Sequence, residues 1–497
     1  MHPCTENGRS INDLPNEILV CVFEYVRQGR TDRDACRHED WTRPFQICRR
    51  WRSVIISTST LWSDVYLTTN SRWLDLCLSR CADAHINLHC IDSRPPSIDC
   101  ITSVLPRYAR NITGLYIEPH RGWAAPLEHI LQVPMPALLS LQIEAFYVGP
   151  ARVKLEGFIH LQHLRLYDGA LQLEDAARLS SLRTLTLRQC HLPFSFREFV
   201  DILAAATGLE VLRLDGSLRT LRDCPGGFAK DPSLLRPMIT LERLGELRIG
   251  RADCALLSHI MPLLDLPHAV LISISSIRSD RGPLHDLSYI LPASMPALVS
   301  ATTSLTFKIR NGVCTVSINA DDPTSASSES TLLHAYMPDR GRAGAHAFGH
   351  LLDVFASAPI SELALEVESL DYYDTDLWAH AFRSCPRLQH LHVSGSYGSP
   401  DDVFAGLERA SDTRFPSCCP SLATMKIGTS DSPLAASDTT YGSVLRALRK
   451  RAAHGAGLES LELYLLGLAC VRGTSEEVVA ILAPWDRSGE STHGGEL

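Results

Sequence analysis

Cys77, Cys81, His85 and His89 recur every four residues, and on one continuous helix they would line up four soft ligands suited to zinc. The hydrophobic period breaks that line. SRWLDLCLSRCADA places Trp73, Leu74, Cys77 and Leu78 on one helical face, whereas HINLHCI alternates, with Ile86, Leu88 and Cys90 opposite His85, Asn87 and His89. A helix followed by a strand makes these core cysteines and surface histidines, so no metal is assigned. The 16 cysteines of the chain show no common spacing and no Cys-x-x-Cys pair. Cys21, Cys48, Cys77 and Cys254 fall at apolar positions, where a free thiol behaves as a small hydrophobe. That usage fits a reducing compartment, cytoplasmic or nuclear. The chain has no Gly-x-Ser-x-Gly elbow, phosphate-binding loop, dinucleotide fingerprint or His-Glu-x-x-His. With 20 histidines and 56 acidic residues, chance pairings carry no weight. No catalytic residue and no cofactor is assigned, and an enzyme is not expected.

The elements that would position any binding residues come from one recurring pattern, apolar-x-x-apolar-x-apolar. It runs through Ile112/Leu115/Ile117, Leu138/Leu141/Ile143, Leu161/Leu164/Leu166, Leu182/Leu185/Leu187, Leu209/Leu212/Leu214 and Leu244/Leu247/Ile249. It resumes at Ile360/Leu363/Leu365, Leu388/Leu391/Val393, Leu422/Met425/Ile427 and Leu458/Leu461/Leu463. Starts are 26, 23, 21, 27 and 35 residues apart, then 116, then 28, 34 and 36. The alternating end of each unit suits a short strand, and the intervals leave room for helices over 197–206, 346–357, 377–384 and 443–452. The long gap holds weaker matches at Ala269/Ile272/Ile274 and Thr302/Leu305/Phe307, and Asn311-Gly312 signals a tight hairpin. Such a ladder resembles a leucine-rich-repeat solenoid of irregular period. The resemblance implies outward positions between the apolar ones. Their central column reads Tyr116, Gln142, Arg165, Thr186, Arg213, Arg248, Ala364, His392, Lys426 and Glu462. Arg165, Arg213, Arg248 and Lys426 make it basic in a chain of formal charge −9, which suits acidic or phosphorylated protein segments.

The stretch Asn12–Leu67 is of a different kind. Asn12 or Asp13 can cap a helix with Pro15 in its first turn, followed by a stripe of Ile18, Leu19, Val22, Phe23 and Val26. Cys48, Trp51 and Ile55 form a second stripe, with Arg49, Arg50 and Arg52 turned away. So little chain cannot bury its own core, and its apolar faces must meet something else. Leu14-Pro15-x-Glu17-Ile18-Leu19, Phe23, Cys48-Arg49-Arg50-Trp51-Arg52 and Leu61-Trp62 resemble the F-box motif, in the variant common in large fungal families. Gln28–Asp40 (QGRTDRDACRHED) stands where that family has a short leucine-containing link; its mixed charges suit a solvated loop.

The resemblance implies a helical module docking on a Skp-type adaptor and, through it, a cullin. Leu14, Pro15, Ile18, Leu19, Phe23, Cys48, Trp51 and Trp62 are its implied contact residues. The repeats would then hold an unknown protein substrate. The expected fold is α/β: a disordered start (1–10), an all-α F-box-like module (11–67) and a helix–strand linker or cap (68–110). A leucine-rich-repeat-like solenoid (111–485, irregular over about 266–345) and a disordered tail (486–497) complete it. The expected function is substrate recognition for a cullin-based ubiquitin ligase, or alternatively a scaffold whose F-box does not direct degradation. The modest charge argues against nucleic acid as a partner, and no apolar run approaches the length of a membrane span.

Overall fold

A computed structural model describes residues 14–28, 46–67, 70–81, 84–91, 98–118, 123–144, 151–154, 157–172, 180–223, 238–277, 290–310, 313–320, 330–336, 342–411, 418–428, 433–435, 438–465 and 471–482. Both expected disordered ends, the charged stretch after Gln28, and Asn311-Gly312 lie outside the described residues. The chain forms two compact units, Met1–Phe194 with Thr220–Arg222, and Ser195–Arg219 with Asp223–Leu497. The fold is mixed α/β, with an N-terminal helical region and extensive strand pairing.

The first unit opens with helices α1 (Asn16–Gln28) and α2 (Arg49–Ser57) and a 3-10 turn over Ser59–Trp62. Asn12 and Asp13, the expected caps, are outside the described residues, and Pro15 stands one place before the first helical residue. Phe23 meets Trp51 edge-on at 5.1 Å, and Trp62 Nε1 donates to the Ile55 carbonyl at 2.8 Å, folding the turn back on α2. Strand β1 (Asp64–Tyr66) follows at once. Then come α3 (Ser71–Cys81), β2 (Ile86–Cys90), α4 (Ile98–Tyr108), β3 (Ile112–Ile117), α5 (Ala124–Gln132) and β4 (Ser140–Glu144). Strands β5 (Ala151–Lys154), β6 (His163–Tyr167), β7 (Gly169–Gln172) and β8 (Thr184–Arg188) complete the unit. β1, β2, β3, β4, β6 and β8 pair successively, all parallel, while β5 and β7 pair separately.

The ladder therefore starts at Asp64, not at the first leucine-type repeat near 111, and 68–110 continues it as helix, strand and helix. The reason is Trp62, which with Val65 and Leu67 makes an apolar-x-x-apolar-x-apolar unit, each residue at most 3% exposed. The module and the ladder share that tryptophan. Trp62 lies 6.2 Å from Trp73 of α3, and the Cys81 thiol donates to the Trp62 carbonyl at 2.8 Å.

The second unit contains α6 (Phe196–Ala205), β9 (Val211–Asp215), β10 (Ile239–Thr240), β11 (Glu246–Asp253), α7 (Cys254–Ile260), β12 (Leu264–Asp265) and β13 (Leu271–Ile277). After α8 (Pro296–Ala301) come β14 (Thr302–Arg310), β15 (Val313–Ala320) and β16 (Ser330–Tyr336). The unit then alternates: α9 (Arg342–Val354), β17 (Glu362–Ser369), α10 (Thr375–Ser384), β18 (His390–Tyr397), α11 (Asp401–Ala410) and β19 (Thr424–Ile427). It ends in α12 (Asp438–Ala453), β20 (Ser460–Leu463), β21 (Val471–Gly473) and α13 (Ser475–Leu482). Local chemistry starts these helices. Ser195 and Glu198 form a reciprocal capping box on α6, and the Asp374 carboxylate accepts from the Leu377 N–H at the start of α10.

The 116-residue gap is bridged by hydrogen bonds. β9, β11, β13 and β16 pair in parallel; β15 lies antiparallel between β16 and β14; β14, β17, β18, β19 and β20 continue in parallel, and β21 closes antiparallel. The weaker matches at Ile272 and Leu305 are β13 and β14. Arg310 pairs with Val313, so a two-residue connection joins β14 to β15. β15 and β16 enter the ladder between the strands that precede them in sequence. β10 and β12 form a separate parallel pair.

Every residue of the recurring pattern, the two weaker matches included, is at most 4% exposed. Each buried leucine-sized side chain contributes about 1.5–3 kcal/mol, so every triad adds several kcal/mol to the core that the helices complete. Asp168, Gln189, Gly216 and Arg251, each two residues past the last apolar position, share positive φ values of 52–71°, which turns the chain out of the strand.

Helices pack closely where glycine permits it. A Cβ on Gly406 of α11 would collide with Trp378 Cβ and come within 3.0 Å of the Ala379 backbone nitrogen on α10. Gly to Ala inside a helix ordinarily gains about 1 kcal/mol from propensity, whereas overpacking against backbone costs about 1–3 kcal/mol. The clash wins, and Gly406→Ala is expected to lower the free energy of unfolding in a denaturant titration.

Candidate functional site

Helix α1 carries two apolar stripes. Leu19 and Phe23, 0% and 4% exposed, face the core formed with Trp51, Ile55 and Trp62. The other stripe faces outward: Ile18 is 47% exposed, Tyr25 77% and Val26 42%, with Cys21 exposed and Val22 half-buried between them. Offsets of three, four, seven and eight residues put these on one side of the helix. Pro15, just before α1, is exposed, as is Ile47 (60%) in the turn before α2. The helix is held from both ends. Arg50 of α2 donates to the Leu14 carbonyl and to Asn16 Oδ1 (3.0 Å), and Thr60 Oγ1 donates to Glu24 Oε1 at 3.3 Å. Arg50 thus turns toward α1, unlike its expected outward placement.

Of the contact residues implied by the sequence, Leu14 is half-buried, and Pro15 and Ile18 are exposed. Leu19, Phe23, Trp51 and Trp62 are core. Cys48 is the N-cap of α2, its sulfur accepting from the Trp51 N–H at 3.4 Å. Tyr25, Val26 and Ile47 lie outside that set. Val26 belongs to the stripe visible in the sequence, but Tyr25 shows only once the rotation of α1 is fixed, and Ile47 lies in the turn before α2.

The expected outward column forms in register within each unit, although Thr186 is buried. Tyr116, Gln142, Arg165 and Thr186 are successive partners, as are Arg213 with Arg248, and Ala364, His392, Lys426 and Glu462. In the first unit the column extends through Tyr66 and His89, and the Tyr66, His89 and Tyr116 rings stack at 4.7 and 4.8 Å. Its charge is balanced locally. Arg213 makes a bidentate pair with Glu246 (2.7 Å at both oxygens), Arg248 reaches the same carboxylate at 2.5 Å, and Lys426 lies 3.9 Å from Glu462. Hydrogen bonding to Arg213 outweighs burial and holds the Glu246 carboxyl below its ordinary value. Burial and the Lys426 charge lower His392. Arg165 is exposed, with no acidic partner among the described residues.

The cysteine–histidine series does not converge. Cys77 and Cys81 are buried on α3, their thiols pushed up to about 12 and about 11 by burial, while His89 lies on β2 in the aromatic stack. Cys190 plays a structural part, for its thiol donates to the Leu166 carbonyl of the preceding ladder strand at 3.2 Å.

This helical module, with one stripe committed to its core and one facing out, covers the stretch that matches a known family. Residues 11–68 match the F-box-like family model. The chain thus carries an F-box-like domain over residues 11–68, and domains of this kind generally bind Skp-type adaptors. None of the curated proteins compared with the chain matches it.

Two outcomes follow from the placements. Trp62→Ala should cost about 3–5 kcal/mol of stability, whereas Ile18→Glu should stay within about 0.5 kcal/mol, both read by chemical denaturation. Because the Glu246 pKa is depressed on folding, its pairing stabilises above the ordinary carboxylate range and is lost as pH falls through the folded-state value. Arg213→Gln should therefore destabilise the protein at pH 7, and the deficit should shrink in acid melts below about pH 4.5, the unperturbed value.

Proposed function

We propose that this chain is the substrate-recognition subunit of a cullin-based, SCF-type ubiquitin ligase. The observation that carries the reading is the exposed Ile18–Tyr25–Val26 face of α1, on a helix whose opposite stripe is already committed to the core. Burying an apolar side chain yields about 1.5–3 kcal/mol, so a few such residues suffice for a stable adaptor contact once association costs are met. Leu14 and Pro15 would sit at its edge. Arg50 would fix the presentation angle of α1, and Leu19, Phe23, Trp51 and Trp62 would act indirectly by keeping the helix rigid.

The strand ladder, read as an irregular leucine-rich-repeat solenoid, would hold a protein substrate along its outward column. Arg165, Arg213, Arg248 and Lys426 supply polar contacts there; Arg165 is the cation least committed to an acidic neighbour. The chain's chemical contribution is effective concentration. It keeps a substrate lysine near a charged conjugating enzyme, while the bond-forming groups belong to the associated machinery. The expected setting is cytoplasmic or nuclear.

Capture of adaptor and cullin by the full chain, compared with an Ile18→Glu/Tyr25→Ala variant, tests this reading. Adaptor binding should weaken at least tenfold, equivalent to about 1.4 kcal/mol, while the variant melts normally and retains its other bound proteins. Undiminished adaptor binding by that variant would contradict the assignment of the α1 face.

A further inference from the structure

Helix α9 carries His346 and His350, one turn apart on the same face. Their Nε2 atoms stand 3.3 Å apart, with ring centroids separated by 4.6 Å and ring planes at 85°. Two imidazole nitrogens bound to one zinc-like ion at about 2.0–2.1 Å, with a tetrahedral angle between them, stand about 3.3–3.4 Å apart. The pair thus has the separation required of two ligands on one metal.

The surroundings suit a cation. The two rings border an open cleft of about 370 Å³ between α9 and α10, also lined by Asp353, Tyr372, Asp374 and His380. Asp353, one turn beyond His350, is 2.9 Å from His380 Nε2 across the cleft. The helices can approach because α9 has glycine at 349, where a Cβ would stand 3.3 Å from Leu377 Cδ1 of α10. Arg342 lies on the lining as well, so the balance of fixed charge rests on Asp353 and Asp374 against one guanidinium.

We propose that His346 and His350 chelate a divalent transition-metal ion of the zinc class through their Nε2 atoms. Water completes the shell, because among the described residues no three His, Cys, Asp or Glu side chains are arranged to hold an ion together. Imidazole is a good ligand for zinc, copper and nickel, and i, i+4 spacing places both rings on one helical face without rearranging the backbone. Asp353 and Asp374 act by charge at longer range. The proposal is independent of adaptor binding, since its residues all lie in the second unit.

Equilibrium dialysis of the purified full chain against Zn²⁺, alongside His346→Gln, His350→Gln and the double variant, tests it. The double variant should lose one equivalent of zinc relative to the unsubstituted chain, and each single variant should bind that equivalent at least tenfold more weakly. Taking the difference between chains removes ions held by the 16 cysteines. Zn²⁺ should also raise the melting temperature more in the unsubstituted chain than in the double variant. The exposed His346→Gln variant, melting normally without metal, keeps the comparison interpretable if His350→Gln perturbs packing. Equal zinc stoichiometry and affinity in all four chains would overturn the proposal and leave the 3.3 Å contact as an imidazole hydrogen bond.

Discussion

Parallel strands leave a backbone problem that this chain solves the same way many times. Short connections cannot return a parallel strand, so each unit must satisfy the polar groups at its turn while burying three apolar side chains. A carbonyl just before the strand accepts two N–H groups from the next unit. Leu139 accepts from Gln162 and His163, Gln162 from Arg183 and Thr184, Glu210 from Gly245 and Glu246, and Gly245 from Val270 and Leu271. Ser361, Gln389 and Ala423 repeat the arrangement. This shared acceptor sets register, and register in turn fixes which side chains form the core and which form the outward column. Units of 21 to 36 residues satisfy it equally, because the constraint acts at the strand entrance and leaves the returning helix free to vary.

The N-terminal module depends on the same ladder. Its helices are too short to stand alone, and Trp62 solves this by serving both sides: its indole closes the turn onto α2, while its place in the Trp62/Val65/Leu67 triad starts the first strand. With one face of α1 secured through Phe23 and Trp51, and its start held by Arg50, the second apolar face stays outside on a rigid support. Rigidity favours association, because little side-chain and backbone freedom remains to be lost on docking.

The sequence made the ladder legible through period and leucine content, and helices 197–206, 346–357, 377–384 and 443–452 correspond closely to α6, α9, α10 and α12. It did not reveal the start at Asp64, because a tryptophan opens that triad. Nor did it reveal that β15 and β16 enter between β13 and β14, a long-range pairing invisible to local pattern. At the module, a stripe including both Ile18 and Leu19 marked an apolar helix without saying which edge of the stripe meets the core. Charge was the least legible property. Arg213 and Arg248 look like free cations in a column, but Glu246 lies two residues before Arg248 on the same strand, and β9–β11 register delivers it to both guanidiniums. Only pairing across strands exposes that neutralisation.

The central claim is that the outward face of α1 serves a partner while the ladder remains available for another. Hydrogen–deuterium exchange of the full chain, alone and saturated with a Skp-type adaptor, addresses it directly. The account predicts slowed exchange concentrated in 14–28 and the adjoining 46–57, with strands β17 to β20 unchanged. Unchanged exchange in α1, or protection centred on β17 to β20, would contradict it.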